Sequence, residues 1–265
     1  MIILSPLRLL ITVVCAAVAV LSLSAQVPAG DYPNAVNAQG KKQGKWKKLD
    51  EQGTVIYVGQ FENDIPVGLF TYFDNQARKM TEMDFRNNGK VAYCKMYHVN
   101  GKLEAQGKYV GQQKDSTWLF YNMDGMLISE EGYKLGKKEG RSVVYHAGTK
   151  QVAEEKTYKN GLEEGKWVQY FADGKLKAEG TYVAGNIEGR ATWYYPDGRI
   201  NIMGNYQHAV KHGVWMYYNA DGSVKGKEVW ELGKLKSQEQ LIKPEDVNVI
   251  KEQQQDPQHN PGGGN

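Results

Sequence analysis

The sequence predicts an all-β protein: an elongated single-layer antiparallel β-meander, a repeat ribbon of about eight β-hairpins of 24 residues each. Three observations predict it. Thirty Gly and seventeen Tyr stand beside eight Pro and two Cys in 265 residues, a balance of tight turns and half-buried rings rather than of helices. One residue pattern recurs every 24 positions from Gly44 to Leu235. Within each recurrence apolar and polar residues alternate with period two, as on a strand with two unlike faces. Collagen is excluded because the Gly do not fall at every third position, and general disorder because the aromatic content is too high to leave solvated.

In chain order, the first segment is residues 1–25. A single basic residue, Arg8, precedes an uncharged run from Leu9 to Leu23 and then small residues, the layout of a cleaved secretory signal peptide. The expected cut follows Ala25 and leaves Gln26 first. An uncleaved anchor is disfavoured because the run of 15 residues is shorter than the roughly 20 a spanning helix needs. Lipid modification at Cys15 is disfavoured by the Val13-Val14 pair before it. Residues 26–43 read as an extended lead-in. With the signal removed the chain carries +2 and one cysteine, Cys94, so no internal disulfide is available and Cys94 is either buried or a liability.

Residues 44–235 form the repeats, which begin at Gly44, Gly68, Ala92, Ser116, Gly140, Gly165, Gly189 and Gly213. The sixth is the clearest. Trp167, Tyr170 and Phe171 belong to a first strand, Asp173-Gly174 to a turn, and Leu176 to Tyr182 to a second strand. The turn glycines recur as Gly101, Gly125, Gly174, Gly198 and Gly222, where positive φ costs least. A second turn closes each unit and is expected between pairs such as Gly136 and Gly140, Gly161 and Gly165, or Gly185 and Gly189. Leu176, Ala178, Gly180 and Tyr182 are read as one dry face, and Lys177, Glu179 and Thr181 as the wet one.

Three columns follow from stacking the units. The second strand ends on an aromatic every time: Phe61, Phe85, Tyr109, Tyr133, Tyr158, Tyr182, Tyr206 and Trp230. The first strand carries Leu49, Phe73, Tyr97, Tyr121, Tyr145, Tyr170, Tyr194 and Tyr218. A looser column holds Trp46, Phe70, Cys94, Trp118, Ser142, Trp167, Ala191 and Trp215. The last two columns lie three residues apart, so either a bulge intervenes or both sheet faces carry aromatics. Repeated columns are what a stacked core requires, because a lone hairpin cannot bury its apolar face. One extra residue near Gly148-Thr149-Lys150 places an irregularity at the tip of the fifth hairpin. Residues 236–265 read as a polar tail, disordered or partly helical over 245–254.

The pattern G-x-W-x-x-Y-x-x-D-G-x-L-x-x-E-G-x-Y-x-x-G-x-x-x-G, nearly intact in the sixth and eighth units, resembles the MORN-repeat variant of bacterial YwqK-family antitoxin-like proteins. The resemblance covers residues 44–235. It implies an elongated meander used as a binding or scaffolding surface, and its antitoxin label implies neutralisation of a cytosolic toxin. A secretory signal departs from that label.

A catalytic site would need residues that break the repeat, since a residue placed by the repeat alone serves the fold. Glu82, Glu130 and Glu179 recur at one position and read as solvated strand carboxylates rather than acid/base pairs. His208 and His212 are four apart but sit beside Gly213 without a third ligand, and His98 and His146 are isolated, so no metal is expected. Cys94 has no anomalous His or acid beside it, which favours a structural thiol over a nucleophile. No G-x-x-x-x-G-K-[ST] is present, and no nucleotide or other cofactor is expected. Nucleic acid is disfavoured because acidic residues interleave with Lys and Tyr and the full chain carries only +3.

The expectation is therefore a non-enzymatic exported scaffold of the periplasm, outer membrane or exterior, binding an unidentified protein or surface polymer over a ribbon about 75 Å long. Ring stacking on glycans is one form of that. The alternatives are a cytosolic antitoxin-like neutraliser and a lipid-associated MORN module, the latter opposed by the near-neutral charge. Pairing of two ribbons through sheet edges into a homo-oligomer stays open.

Overall fold

The computed structural model describes residues 30–240; these residues contain no helix and form one 17-stranded sheet. The signal segment with its Ala25–Gln26 cut, and the tail beyond Gln240, lie outside the described residues. The strands are β1 (Gln43–Leu49), β2 (Val55–Glu62), β3 (Ile65–Phe73), β4 (Lys79–Arg86), β5 (Val91–Tyr97) and β6 (Leu103–Val110). They continue as β7 (Gln113–Tyr121), β8 (Leu127–Lys134), β9 (Lys137–Tyr145), β10 (Val152–Lys159), β11 (Leu162–Tyr170) and β12 (Leu176–Val183). The last are β13 (Asn186–Tyr194), β14 (Ile200–Gln207), β15 (Val210–Tyr218), β16 (Val224–Glu231) and β17 (Lys234–Gln240). Every strand pairs antiparallel with the next in sequence, from β1 with β2 to β16 with β17, and the sheet is an open meander. The final strand extends the sheet five residues into the segment read as tail.

Hairpin tips lie where the sequence puts them. Gly101, Gly125, Gly174, Gly198 and Gly222 all take positive φ, from 79° to 91°, and in the sixth unit Phe171 N–H donates to Lys175 while Asp173 Oδ1 accepts from Lys175 N–H. The fifth tip spans one residue more, with His146 N–H donating to Gln151.

The second turn is tighter than expected. Val183 pairs directly with Asn186, so Ala184 and Gly185, both at positive φ, make a two-residue hairpin loop whose twist matches that of the flanking strands. Gly189 is therefore not a turn residue. It lies inside β13 at φ 71°, in a bulge where residues 189–191 oppose Gly180 alone. Gly140 and Gly165 also lie in strand bulges, shifted by one residue, where 139–141 of β9 oppose Gly132 and 164–166 of β11 oppose Thr157. The expected closing turn thus separates into a two-residue loop and a strand bulge.

A further bulge lies at Lys177, so that Leu176 pairs with Tyr170 while Ala178 pairs with Gln169. Leu176 does not continue the face of Ala178, contrary to the simple alternation. Because this bulge is on the second strand, the first strand alternates regularly, and the Trp167 and Tyr170 columns stand on opposite faces. Nor is one face wet throughout: Thr71, Val143, Val168 and Thr192, on the face of the Tyr170 column, are buried.

Candidate functional site

The two faces have different chemistry. On the first, the ring face, aromatic side chains meet edge to face along the sheet. Trp46 meets Phe61 at 6.1 Å between centroids, Phe61 meets Phe70 at 5.1 Å, and Phe70 meets Phe85 at 5.2 Å. The series resumes with Tyr109 on Trp118 at 4.9 Å, then Trp167 on Tyr182 and Tyr206 on Trp215. Edge-to-face contacts of this kind add to the burial of the rings themselves. Tyr133 packs against the Trp118 cluster, and the rings of Tyr158 and Trp230 lie under lysines.

One rule explains which residue the loose column carries. Where the preceding repeat has Gly opposite the bulge, the next repeat lays a ring on it: Gly59 under Phe70, Gly107 under Trp118, Gly204 under Trp215. A Cβ on Gly107 would fall 2.3 Å from the Trp118 ring, closer than any carbon contact allows. Where a side chain stands instead, the next residue is small: Met83 pairs with Cys94 and Glu131 with Ser142. Two repeats depart from the rule: Trp167 pairs with Lys156 and donates its Nε1–H to Glu154 at 2.8 Å, and Gly180 faces Ala191, its nearest ring being Trp167 of its own hairpin.

Lysines cover the rings. Lys114 lies 4.4 Å from the Trp118 centroid and also faces Phe120 and Tyr133; Lys211 does the same for Trp215, Tyr217 and Trp230. Lys42 and Lys138, at the same repeat position, sit over Trp46 and Tyr158.

On the opposite face the Tyr column is tied to the repeat before it. Tyr97 donates its hydroxyl to Glu82, Tyr145 to Glu130 at 2.7 Å and Tyr194 to Glu179 at 2.8 Å. Gln106 donates to Tyr121 at 2.9 Å. Tyr218 donates to the Met203 sulfur, and Tyr170 closes its hairpin opposite Leu176. The three glutamates are thus held and half-buried rather than freely solvated. Burial pushes the Glu82 carboxyl up, but the Tyr97 hydroxyl and the Lys79 ammonium outweigh it and hold it below the usual carboxylate range.

The histidines serve the backbone. His98 Nε2 meets Tyr121 O at 2.9 Å and His146 Nε2 meets Tyr170 O at 3.0 Å, each joining one hairpin tip to the next. His208 is a loop residue at φ 53°, and His212 Nδ1 accepts from Leu232 N–H. Among the described residues no group of three or more His, Cys, Asp or Glu is placed to hold a metal ion.

The third repeat differs on both faces. It has Ala92 where its neighbours have a bulge residue at positive φ, and β4 pairs with β5 without any register shift. The two residues released by the missing bulge lengthen the loop to Asn87–Lys90, so the period of 24 is kept. On the ring face this leaves a pocket of about 460 Å³ lined by Met83, Phe85, Ala92, Cys94, Met96 and Tyr109. Cys94 is 2 % exposed, and burial pushes its thiol up to about 11 against the opposing pull of Lys114. On the other face lies a groove of about 830 Å³ whose walls include Leu69, Tyr93, Lys95, Lys108, Thr117 and Leu119. Leu69 and Tyr93 are more than half exposed. Sequence reasoning marked Cys94 as an oddity in a Trp column but not the space above it; the pairing of Met83 with Cys94 across the repeat boundary was the signal available.

Comparison with known proteins agrees with the repeat assignment over part of the chain. The family model of the MORN repeat variant matches residues 163–184 and 187–208, which are β11 with β12 and β13 with β14. MORN repeats are in general protein- or lipid-binding modules. No curated protein matches the chain. Among solved structures, a crystal structure of TarM is similar at 14% identity and a TM-score of 0.27, covering 36% of this chain and 20% of that one. A variant of S. aureus TarM in complex with Fondaparinux, alpha-GlcNAc-glycerol and UDP is similar at 12% identity and 0.29, covering 46% and 21%. The chain therefore spans about a fifth of the length of the solved chains it matches. What the comparisons establish is a set of MORN-variant hairpins at 163–184 and 187–208.

Proposed function

We propose that the protein is a non-enzymatic binding scaffold, exported to the cell envelope by its N-terminal segment, and that it holds a partner protein or surface polymer along the β3–β7 part of the ribbon. The observation that carries this is the unevenness of the repeats. Along much of the ribbon the columns are spent on one another, ring on ring and hydroxyl on carboxylate. At the third repeat both faces keep concave apolar surface, with Leu69 and Tyr93 exposed beside Lys95 and Lys108. Exposed apolar area flanked by charge is the usual composition of a protein contact.

The test is a photoactivatable phenylalanine analogue placed at Tyr93 and, as control, at Arg190 on the same face, with the tagged chain expressed in its own cells. A cross-linked species from position 93 and none from 190 is expected. No adduct at 93, or equal adducts at both, would overturn the reading. Mass spectrometry of the native N-terminus checks export: Gln26 as first residue is expected, and an intact Met1 in a cytosolic protein would favour the antitoxin-like alternative.

A further inference from the structure

We infer that the pocket over Cys94 takes an aromatic ring, an indole or phenol side chain contributed by a partner protein. The argument is internal to the ribbon. The ring series on the first face lacks its member at three repeats, those of Cys94, Ser142 and Ala191. At Ser142 the space is filled by an ion pair: Lys138 meets Glu131 at 3.1 Å, Glu131 accepts from the Tyr133 hydroxyl at 2.5 Å, and the Lys138 ammonium sits over Tyr158. At Ala191 it is filled by Trp193, which contacts both Tyr206 and Trp215. At Cys94 no ring closes it: Met83 and Met96 pack against the thiol, and a concavity of about 460 Å³ remains beside them. The chain of edge-to-face contacts stops at Phe85 and resumes at Tyr109, and both line the pocket.

A second deficit lies at the same place. Lysines at one repeat position, Lys42, Lys114, Lys138 and Lys211, each cover rings. Lys90 holds that position in the third repeat, is exposed, and lines the pocket. Among the described residues its ammonium is the one in this set with no ring beneath it. A missing ring and a free ring-covering cation in one concavity, flanked by Phe85 and Tyr109, specify the occupant that the other repeats supply for themselves. An aliphatic occupant would use the apolar walls but not the lysine.

This rests on the scaffold reading only for the source of the ring. The pocket itself is tested with a free probe. Saturation-transfer NMR on the full chain would use N-acetyl-tryptophanamide, with N-acetyl-leucinamide as the aliphatic control. Transfer to the indole protons with half-saturation on the order of 1 mM is expected, and weaker transfer to the leucine probe. The double variant Met83→Gly/Cys94→Trp, which copies the Gly107–Trp118 pair into the gap, should abolish it. Lys90→Ala, at an exposed site that leaves the fold intact, should weaken it about two- to fivefold. No transfer at ten times the expected concentration, equal binding of the leucine probe, or Lys90→Ala binding as the parent does would overturn the inference. A pocket that binds the probe while position 93 cross-links to nothing would leave the ring-binding pocket standing and remove the scaffold reading, and with it the partner protein as the source of the ring.

Discussion

The gap at Ser142 and the gap at Cys94 begin from the same event, a small residue in a column of rings, and end differently. At Ser142 the preceding repeat contributes Glu131, which recruits Lys138 and Tyr133 into a closed polar cluster. At Cys94 it contributes Met83, which has no polar handle, and the loss of the neighbouring bulge moves Lys90 out of β5 into a loop. The sheet tolerates a missing ring. What decides whether a pocket remains is what the surrounding side chains bring: Glu131 with Lys138 at Ser142, Trp193 at Ala191, and only Met83 and Met96 at Cys94.

Substitutions can break that comparison in order of expected size. Trp118→Ser, with Gly107 rather than a side chain facing it from β6, should cost about 3–5 kcal/mol, because a fully buried ring is lost. Chemical denaturation measures it. Gly107→Ala should cost about 1–3 kcal/mol through overpacking against Trp118. Gly180→Ala, whose new Cβ would stand 3.3 Å from Trp167, should cost less. If the two alanine variants melt alike, the rule linking glycine to ring is wrong.

Tyr97→Phe removes the hydroxyl that holds Glu82 and should cost about 1.5–3 kcal/mol near neutral pH. The sign follows from the lowered native pKa of Glu82. Its contribution is full above the unfolded value near 4.3 and is lost as pH falls through the native value. The difference between parent and variant should therefore shrink in acid. The raised thiol of Cys94 acts oppositely, its contribution being full below the unfolded pKa near 8.5 and lost as pH rises through about 11. Alkylation of Cys94, mapped by peptide mass, should be slow at pH 8 and accelerate only towards pH 11.

The smallest contrast separates two lysines of one column. Lys114→Ala should cost about 0.5–1 kcal/mol because the ammonium covers Trp118, whereas Lys90→Ala should change stability by less than about 0.5 kcal/mol. Equal effects in thermal melts would erase the distinction on which the pocket's occupant rests.

The columns, the tip glycines and the register were legible because each recurs from unit to unit along the sequence. The bulges were not. Gly189 at φ 71° inside a strand and Gly185 at φ 84° in a loop answer the same need for a left-handed backbone, and one sequence cannot tell them apart. The face of Leu176 was misread for a related reason, since one extra residue at Lys177 inverts whatever lies beyond it. The pocket was hidden because it is formed by what the third repeat omits, Ala92 in place of a bulge residue and Cys94 in place of a ring.

The lead-in limits which edge of the sheet is open to a second strand. Asn34 donates to Lys47 O and accepts from Lys47 N–H, and Gln43 N–H donates to Ala35 O, so side chain and backbone before β1 occupy its outward groups. Within the described residues the outer edge of β17 has no such cover. A strand-to-strand filament needs two sticky ends per molecule, and this ribbon is stopped at one. Association through the sheet would then end at two copies joined β17 to β17, a finite pair whose four working faces lie in series rather than a growing fibre.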